Sequence, residues 1–278
     1  MTLEIDRNFV RIKEGQVHFR SAGNLKSGRP LVMIHASPAS AYNLIPLMNA
    51  IGNKRPLYAP DTLGNGDSCK AQVEVPDMAY YADAVNRQLD ALGLGEVDVY
   101  GTHTGGSIAM ELGIQQPKRV RRVVIDGIGL YTDEEKKDML ANYTPEIKPD
   151  AFGSQFNWAW HFVRDQSFFF PWYKRDVEHQ RSNGLASPEQ MHAVVMEVLK
   201  SITTYHHGYR ASFRYPKKDR LPLITQPVLM IYETTDPLFK YKDEAVRAVK
   251  RCTEGALAKG ARTADKAKLI NDWLDKAV

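Results

Sequence analysis

Apolar residues fall in two rhythms along the chain. Near the start, Val10-Arg11-Ile12 and Val17-His18-Phe19 alternate apolar and polar positions around Glu14-Gly15, which predicts a β-hairpin. His18, flanked by Val17 and Phe19, is expected at the surface or between the two strands. Short apolar runs follow: Pro30-Leu31-Val32-Met33-Ile34, ending at His35, and Pro56-Leu57-Tyr58-Ala59, ending near Asp61. Runs of this length, apolar at every position, fit strands buried on both faces of a parallel sheet. A different period begins at Asp77. Met78, Tyr81, Ala82, Val85, Leu89 and Leu92 recur every three or four residues and predict a helix closed by Gly93. The alternation continues with a strand over 97–100, a helix over 108–116, a strand over 120–125 and another over 228–232. Strand and helix in turn predict an α/β sheet with right-handed crossovers. A last helix is expected over 264–276. Between Leu238 and Leu269 no β-branched run marks a further strand.

Residues 131–224 break this pattern. The stretch is helical in character and aromatic, with Phe152, Phe156, Trp158, Trp160, Phe162, Phe168, Phe169, Phe170, Trp172 and Tyr173 close together. Three of the four tryptophans lie here.

Composition narrows the class of protein. The 278 residues are 43% hydrophobic and 25% charged, as in a soluble globular protein. A net charge of +4, without any dense basic block, gives no reason to expect a nucleic-acid partner. No apolar run approaches the roughly 20 residues of a membrane span. The first residues lack the basic and apolar regions of a secretory signal. Cys69 and Cys252 stand far apart, so no CxxC site exists, and a reducing, cytoplasmic setting is expected.

The candidate chemistry lies where the strand over 97–100 meets the next helix. The run Gly101-Thr102-His103-Thr104-Gly105-Gly106 resembles the nucleophile elbow of the α/β-hydrolase fold, in which a reactive side chain sits on a sharp strand-to-helix turn between glycines. Other loops extend the likeness. His35-Ala36-Ser37-Pro38 resembles that family's oxyanion loop, and Asp61-Thr62-Leu63-Gly64-Asn65-Gly66-Asp67-Ser68 its Asp-x-x-Gly-x-Gly-x-Ser loop. Asp236-Pro237 stands at the family's acid position. The resemblance implies a mostly parallel central sheet flanked by helices. It implies a core domain made of residues 1–130 and 225–278, and a helical, aromatic-rich cap at 131–224. It also implies oxyanion donors at the backbone N–H groups of Ala36 and Thr104.

Two departures change the expected chemistry. His103 occupies the position of the nucleophile, and no histidine follows His207, so the family's C-terminal catalytic histidine is absent. Gly255-Ala256 or Gly260-Ala261 is expected to mark its former place. A standard Ser-His-Asp mechanism cannot run from these positions. His103 at a helix N-terminus is expected to have a lowered pKa, because the helix dipole disfavours its charged form. With Asp236 it would form a base and its orienter. That pair suits hydrolysis of a small apolar ester or carbonyl compound. It equally suits a lyase, decarboxylase or isomerase that needs only a base, and the double departure also fits a non-catalytic ligand-binding protein. His35 is expected to hydrogen-bond backbone and hold its loop beside the substrate. Trp158, Trp160, His161 and Trp172 are the expected pocket residues of the cap. Of Tyr205-His206-His207, at most one histidine should face the site. No cofactor and no metal are expected, since no second ligand pair accompanies these histidines.

Overall fold

In this computed structural model, residues 3–24, 28–182 and 184–276 are described. The hairpin comes first: β1 (Ile5–Ile12) and β2 (Gly15–Ala22) pair antiparallel, with Ile12 opposite Gly15. Then follow β3 (Leu31–Ile34), α1 (Ile45–Ile51), β4 (Leu57–Pro60), α2 (Met78–Ala91), β5 (Val97–Thr102), α3 (Thr104–Gln115) and β6 (Val120–Asp126). Among the described residues, five α-helices stand between β6 and the next strand: α4 (Asp133–Asn142), α5 (Ser154–Phe168), α6 (Pro188–Lys200), α7 (Tyr205–Arg214) and α8 (Lys217–Arg220). The chain closes with β7 (Val228–Glu233), α9 (Lys242–Ala248), β8 (Cys252–Leu257) and α10 (Thr263–Leu274).

The eight strands form one sheet in the order β1-β2-β4-β3-β5-β6-β7-β8. Only β2 meets its neighbours antiparallel; from β4 to β8 every pair is parallel. The two-residue period of a strand sends alternate side chains to opposite faces. Val32 and Ile34 of β3 therefore pack with Leu89, Ile108 and Leu112 of α2 and α3. Leu31 and Met33 pack on the other face with Met48 of α1 and Ile270 of α10. This double burial is why β3 is apolar at all four positions.

Two expectations change. The last strand exists: β8 pairs with β7, Ile231 opposite Gly255. It is an edge strand with exposed Thr253, Glu254 and Ala256 and buried Gly255 and Leu257, so it carries no long apolar run. His18 is not at the surface; it is 2% exposed. β2 is an interior strand, and the loop after β4 folds across it. Asp61 Oδ2 lies 2.9 Å from His18 Nδ1, and the same carboxylate accepts the N–H groups of Ala41 and Asp67. The buried histidine thus anchors the Asp61–Ser68 loop.

Candidate active site

The turn between β5 and α3 depends on close backbone contact. A Cβ on Gly101 would lie 2.1 Å from the Gly105 carbonyl oxygen, and one on Gly105 would lie 2.3 Å from that of Ile34. Only glycine lets α3 start this close to β3 and β5. The tight turn puts strain on the residue at its apex. His103 has φ 49° and ψ −107°, and it is the single non-glycine residue with positive φ among the described residues. Such backbone costs about 1–3 kcal/mol and persists where the surroundings impose it. A direct test compares two variants that both lose the imidazole. His103→Gly should unfold with a stability about 1 kcal/mol higher than His103→Ala, as measured by denaturant melts. Equal stabilities would show that the apex is unstrained.

The elbow aims the imidazole at the loop after β7. His103 Nε2 donates to Asp236 Oδ2 at 2.7 Å, across 133 residues of sequence. The other Asp236 oxygen accepts the Leu238 N–H at 2.8 Å, so the carboxylate also caps the short turn Pro237–Tyr241. Gly127, just after β6, lies beneath the pair; its Cβ would meet His103 Cδ2 at 2.7 Å. An ionised carboxylate only accepts, so Nε2 carries the hydrogen and Nδ1 is left as the ring's proton acceptor. The usual roles of the two nitrogens in a Ser-His-Asp site are thereby exchanged.

The electrostatics correct the expectation of a lowered His103 pKa. Burial is the largest single influence and pulls it down, but the charge and hydrogen bond of Asp236, with the more distant Asp126, raise it above the ordinary 6.5. The near carboxylate outweighs the helix dipole. Asp236 shifts oppositely: burial opposes its charge, yet His103, the Leu238 N–H and Arg181 hold it below the usual carboxylate range. Behind the elbow, Asp126 accepts from Tyr100 at 2.5 Å and from Lys266 of α10 at 2.7 Å.

His103 and Asp236 open onto a cavity of about 460 Å³. His103 keeps 44% of its side-chain surface exposed there. Ala36 and Thr104 also line it. His35 does not. It is buried behind Ala36, where its Nδ1 donates to the Ala36 carbonyl at 2.8 Å and its Nε2 accepts the Thr62 N–H at 2.9 Å. Burial lowers its pKa, which keeps the ring neutral in this bridging role.

The expected cap residues are also displaced from the cavity. Trp158 stacks on Phe162 at 4.7 Å, and Trp172 packs edge-on against both while donating to the Tyr143 carbonyl; they form the interior of the helical segment. Trp160 is 42% exposed on the outer face of α5, and His161 is half-buried away from the lining. The roof is made instead by Phe162 and Gln166 of α5, by Tyr209, Ser212 and Phe213 of α7, and by Tyr131, Tyr143, Phe170, Arg181 and Lys217. The i, i+3, i+4 spacing of Tyr209, Ser212 and Phe213 is the signal that could have marked a cavity-facing stripe. Neither His206 nor His207 lines the cavity. Gly255-Ala256 lies inside β8, so of the two candidate places for the missing histidine only Gly260-Ala261 falls in the loop after the last strand.

Sheet order, strained elbow and facing acid together define an α/β-hydrolase architecture. Residues 29–260 match the alpha/beta hydrolase fold family, and the chain belongs to it. Among curated relatives, 2-hydroxymuconate semialdehyde hydrolase of Pseudomonas sp. (strain CF600) is 36% identical over 126 residues, 44% of each chain. Soluble epoxide hydrolase of Corynebacterium sp. (strain C12) is 32% identical over 125 residues, 45% of this chain and 42% of the relative. The chain thus spans less than half the length of these relatives. Solved structures share the fold over nearly the whole chain. Epoxide hydrolase CorEH superposes with a TM-score of 0.74 at 20% identity, covering 98% of this chain and 97% of its own. The enol-lactonase of Burkholderia xenovorans LB400 gives 0.73 at 15% identity, covering 97% and 100%. No described helix is long and apolar enough to cross a membrane.

Proposed function

We propose that the protein is a cofactor-independent hydrolase of small, largely apolar ester or carbonyl compounds, with His103 as general base and Asp236 as its orienter. The observation that carries this reading is the 2.7 Å His103–Asp236 hydrogen bond at the strained elbow, facing an open aromatic cavity. Two curated relatives named as hydrolases support it. In this mechanism His103 Nδ1 takes a proton from water as the water oxygen attacks the substrate carbonyl. The oxyanion is received by the N–H groups of Ala36 and Thr104. Thr104 opens α3, where the first N–H groups have no intrahelical partner. The imidazolium, held by Asp236, then returns the proton to the leaving group. The helices over 131–224 act as a cap, and the core comprises 1–130 and 225–278. The free thiols Cys69 and Cys252 suit a reducing, cytoplasmic setting.

The test is hydrolysis of p-nitrophenyl acetate in a stopped-flow instrument. Steady release without a product burst is expected, and a serine-directed fluorophosphonate should leave the protein unlabelled. A stoichiometric burst with a labelled hydroxyl would replace water activation by a covalent route. Tight ligand binding with no turnover across an ester and lactone panel would favour the receptor reading instead.

A further inference from the structure

Lys217 lines the cavity without an ion-pair partner among the described residues. Lys217 opens α8, directly after Pro216, and is only 5% exposed. It lines the main cavity together with His103 and Asp236. It also forms the partition to a side cavity of about 140 Å³, bounded by Lys136, Lys218 and Asp219 among others. Its Nζ donates to the Ser212 carbonyl and lies 5.7 Å from the centre of the Tyr131 ring. No ion pair joins Lys217 to a carboxylate among the described residues, whereas its neighbours Lys136 and Lys218 pair with Asp133 and Glu244. A buried lysine without a partner is costly when charged, so the neutral amine gains weight. Burial, with the nearby Lys136 charge, brings its pKa down to about 7. At neutral pH a large share of Lys217 is therefore an uncharged amine with a free lone pair. That is the state a nucleophilic lysine needs.

We infer that Lys217 is a carbonyl-capturing amine, whose nitrogen, set in the cavity wall between the Tyr131 ring and the Ser212 carbonyl, forms an imine with a small apolar aldehyde or ketone bound there. The amine lone pair attacks the carbonyl carbon. The C–N bond forms as the carbonyl π pair moves to oxygen, which is protonated to a carbinolamine. Loss of the second amine hydrogen with that hydroxyl releases one water and leaves C=N, with no oxidant or reductant required. The apolar rings of Tyr131 and Phe213 suit an aromatic or alkyl carbonyl compound and shield the imine from bulk water. The inference goes beyond the general-base reading and does not depend on His103.

The experiment uses the whole protein, benzaldehyde and sodium cyanoborohydride, followed by peptide mapping. One benzyl adduct per chain is expected at Lys217, formed at pH 7 at least tenfold faster than at any exposed lysine. Its rate should rise with pH to half-maximum near 7, because burial and the Lys136 charge disfavour its charged form; the charged or titratable groups facing it are Lys136, Lys218 and Asp219 on the side cavity, His103, Arg181 and Asp236 on the main one, and Tyr131 between them. The ordinary lysine value is 10.5. Lys217→Met should lose the adduct, while His103→Ala should keep it and lose only ester turnover. Adducts confined to exposed lysines in the wild-type protein would overturn the inference, whether or not the Lys217→Met variant folds. Labelling with a midpoint near 10.5 would do the same.

Discussion

With His103 as the proposed base, His103→Ala is expected to lower kcat for ester hydrolysis by about 10²–10⁴, the range that a positioned general base supplies. The reason is specific to this site. No histidine follows His207, so no second imidazole stands in the loop after β8 to take over the proton. His103→Gln keeps a polar side chain of similar length but has no group that accepts a proton near neutral pH, and it should fall equally far. Both variants should retain the circular dichroism of the wild type, because α3 and β5 are held by Gly101, Gly105 and the flanking core rather than by the imidazole. Activity of either variant within threefold of wild type would remove His103 from the chemistry.

Asp236→Asn separates orientation from charge. The asparagine amide can donate to Nε2, which favours the tautomer with its hydrogen on Nδ1 and takes away the proton acceptor that faces the substrate. A comparable tautomer error in a serine protease costs about 10⁴ in kcat, and a loss of about 10²–10⁴ is expected here. The pH profile carries the sharper signature. Under the proposed mechanism the wild type needs the neutral imidazole, so the rate is expected to climb with pH through a midpoint above 6.5. Without the Asp236 carboxylate, burial and the positive charge of Lys266 still press the histidine pKa down. The residual rate should therefore have its midpoint at lower pH. A midpoint that stays in place would mean that another group governs the titration. The pair also links folding to pH. The raised histidine stabilises the fold fully below its unfolded value of 6.5 and stops doing so as pH rises through the folded pKa. The lowered aspartate contributes above 3.8 and is lost as pH falls through its folded pKa. Both contributions coexist between those two values, where the stability gap between wild type and His103→Ala should be widest.

The sheet was readable wherever burial is symmetrical. β3, β4 and β7 announce themselves as short apolar runs because helices or loops cover both faces, whereas β5 and β6 carry Asp98 and Arg122 within their buried stretches. β8 does not announce itself, because an edge strand exposes Thr253, Glu254 and Ala256, and its Gly255 leaves room for Leu269. Of the two places expected for His18, the cross-strand one holds, opposite Phe9, and the surface one fails for a related reason. Alternation along β2 says which residues share a face, but not that the Asp61 loop covers the face His18 occupies. In α5 aromatic residues stand on several faces, so periodicity alone could not choose among them. Packing then placed Phe162 over the cavity, Trp158 in the interior and Trp160 in solvent.

By itself the sequence determined the local parts: the hairpin, the glycine-framed elbow with histidine at its apex, and the absence of any later histidine. These depend on neighbours a few residues apart, through backbone space and strand or helix period. The tertiary structure alone decided what faces what. It brought Asp236 within 2.7 Å of His103, raised a pKa that the helix dipole should have lowered, turned His35, Trp158 and Trp172 away from the cavity, and buried Lys217 in its wall. Charge interaction and desolvation depend on distance in space rather than along the chain. The chemistry of the site was therefore set when β5, β7 and the helices after β6 came together.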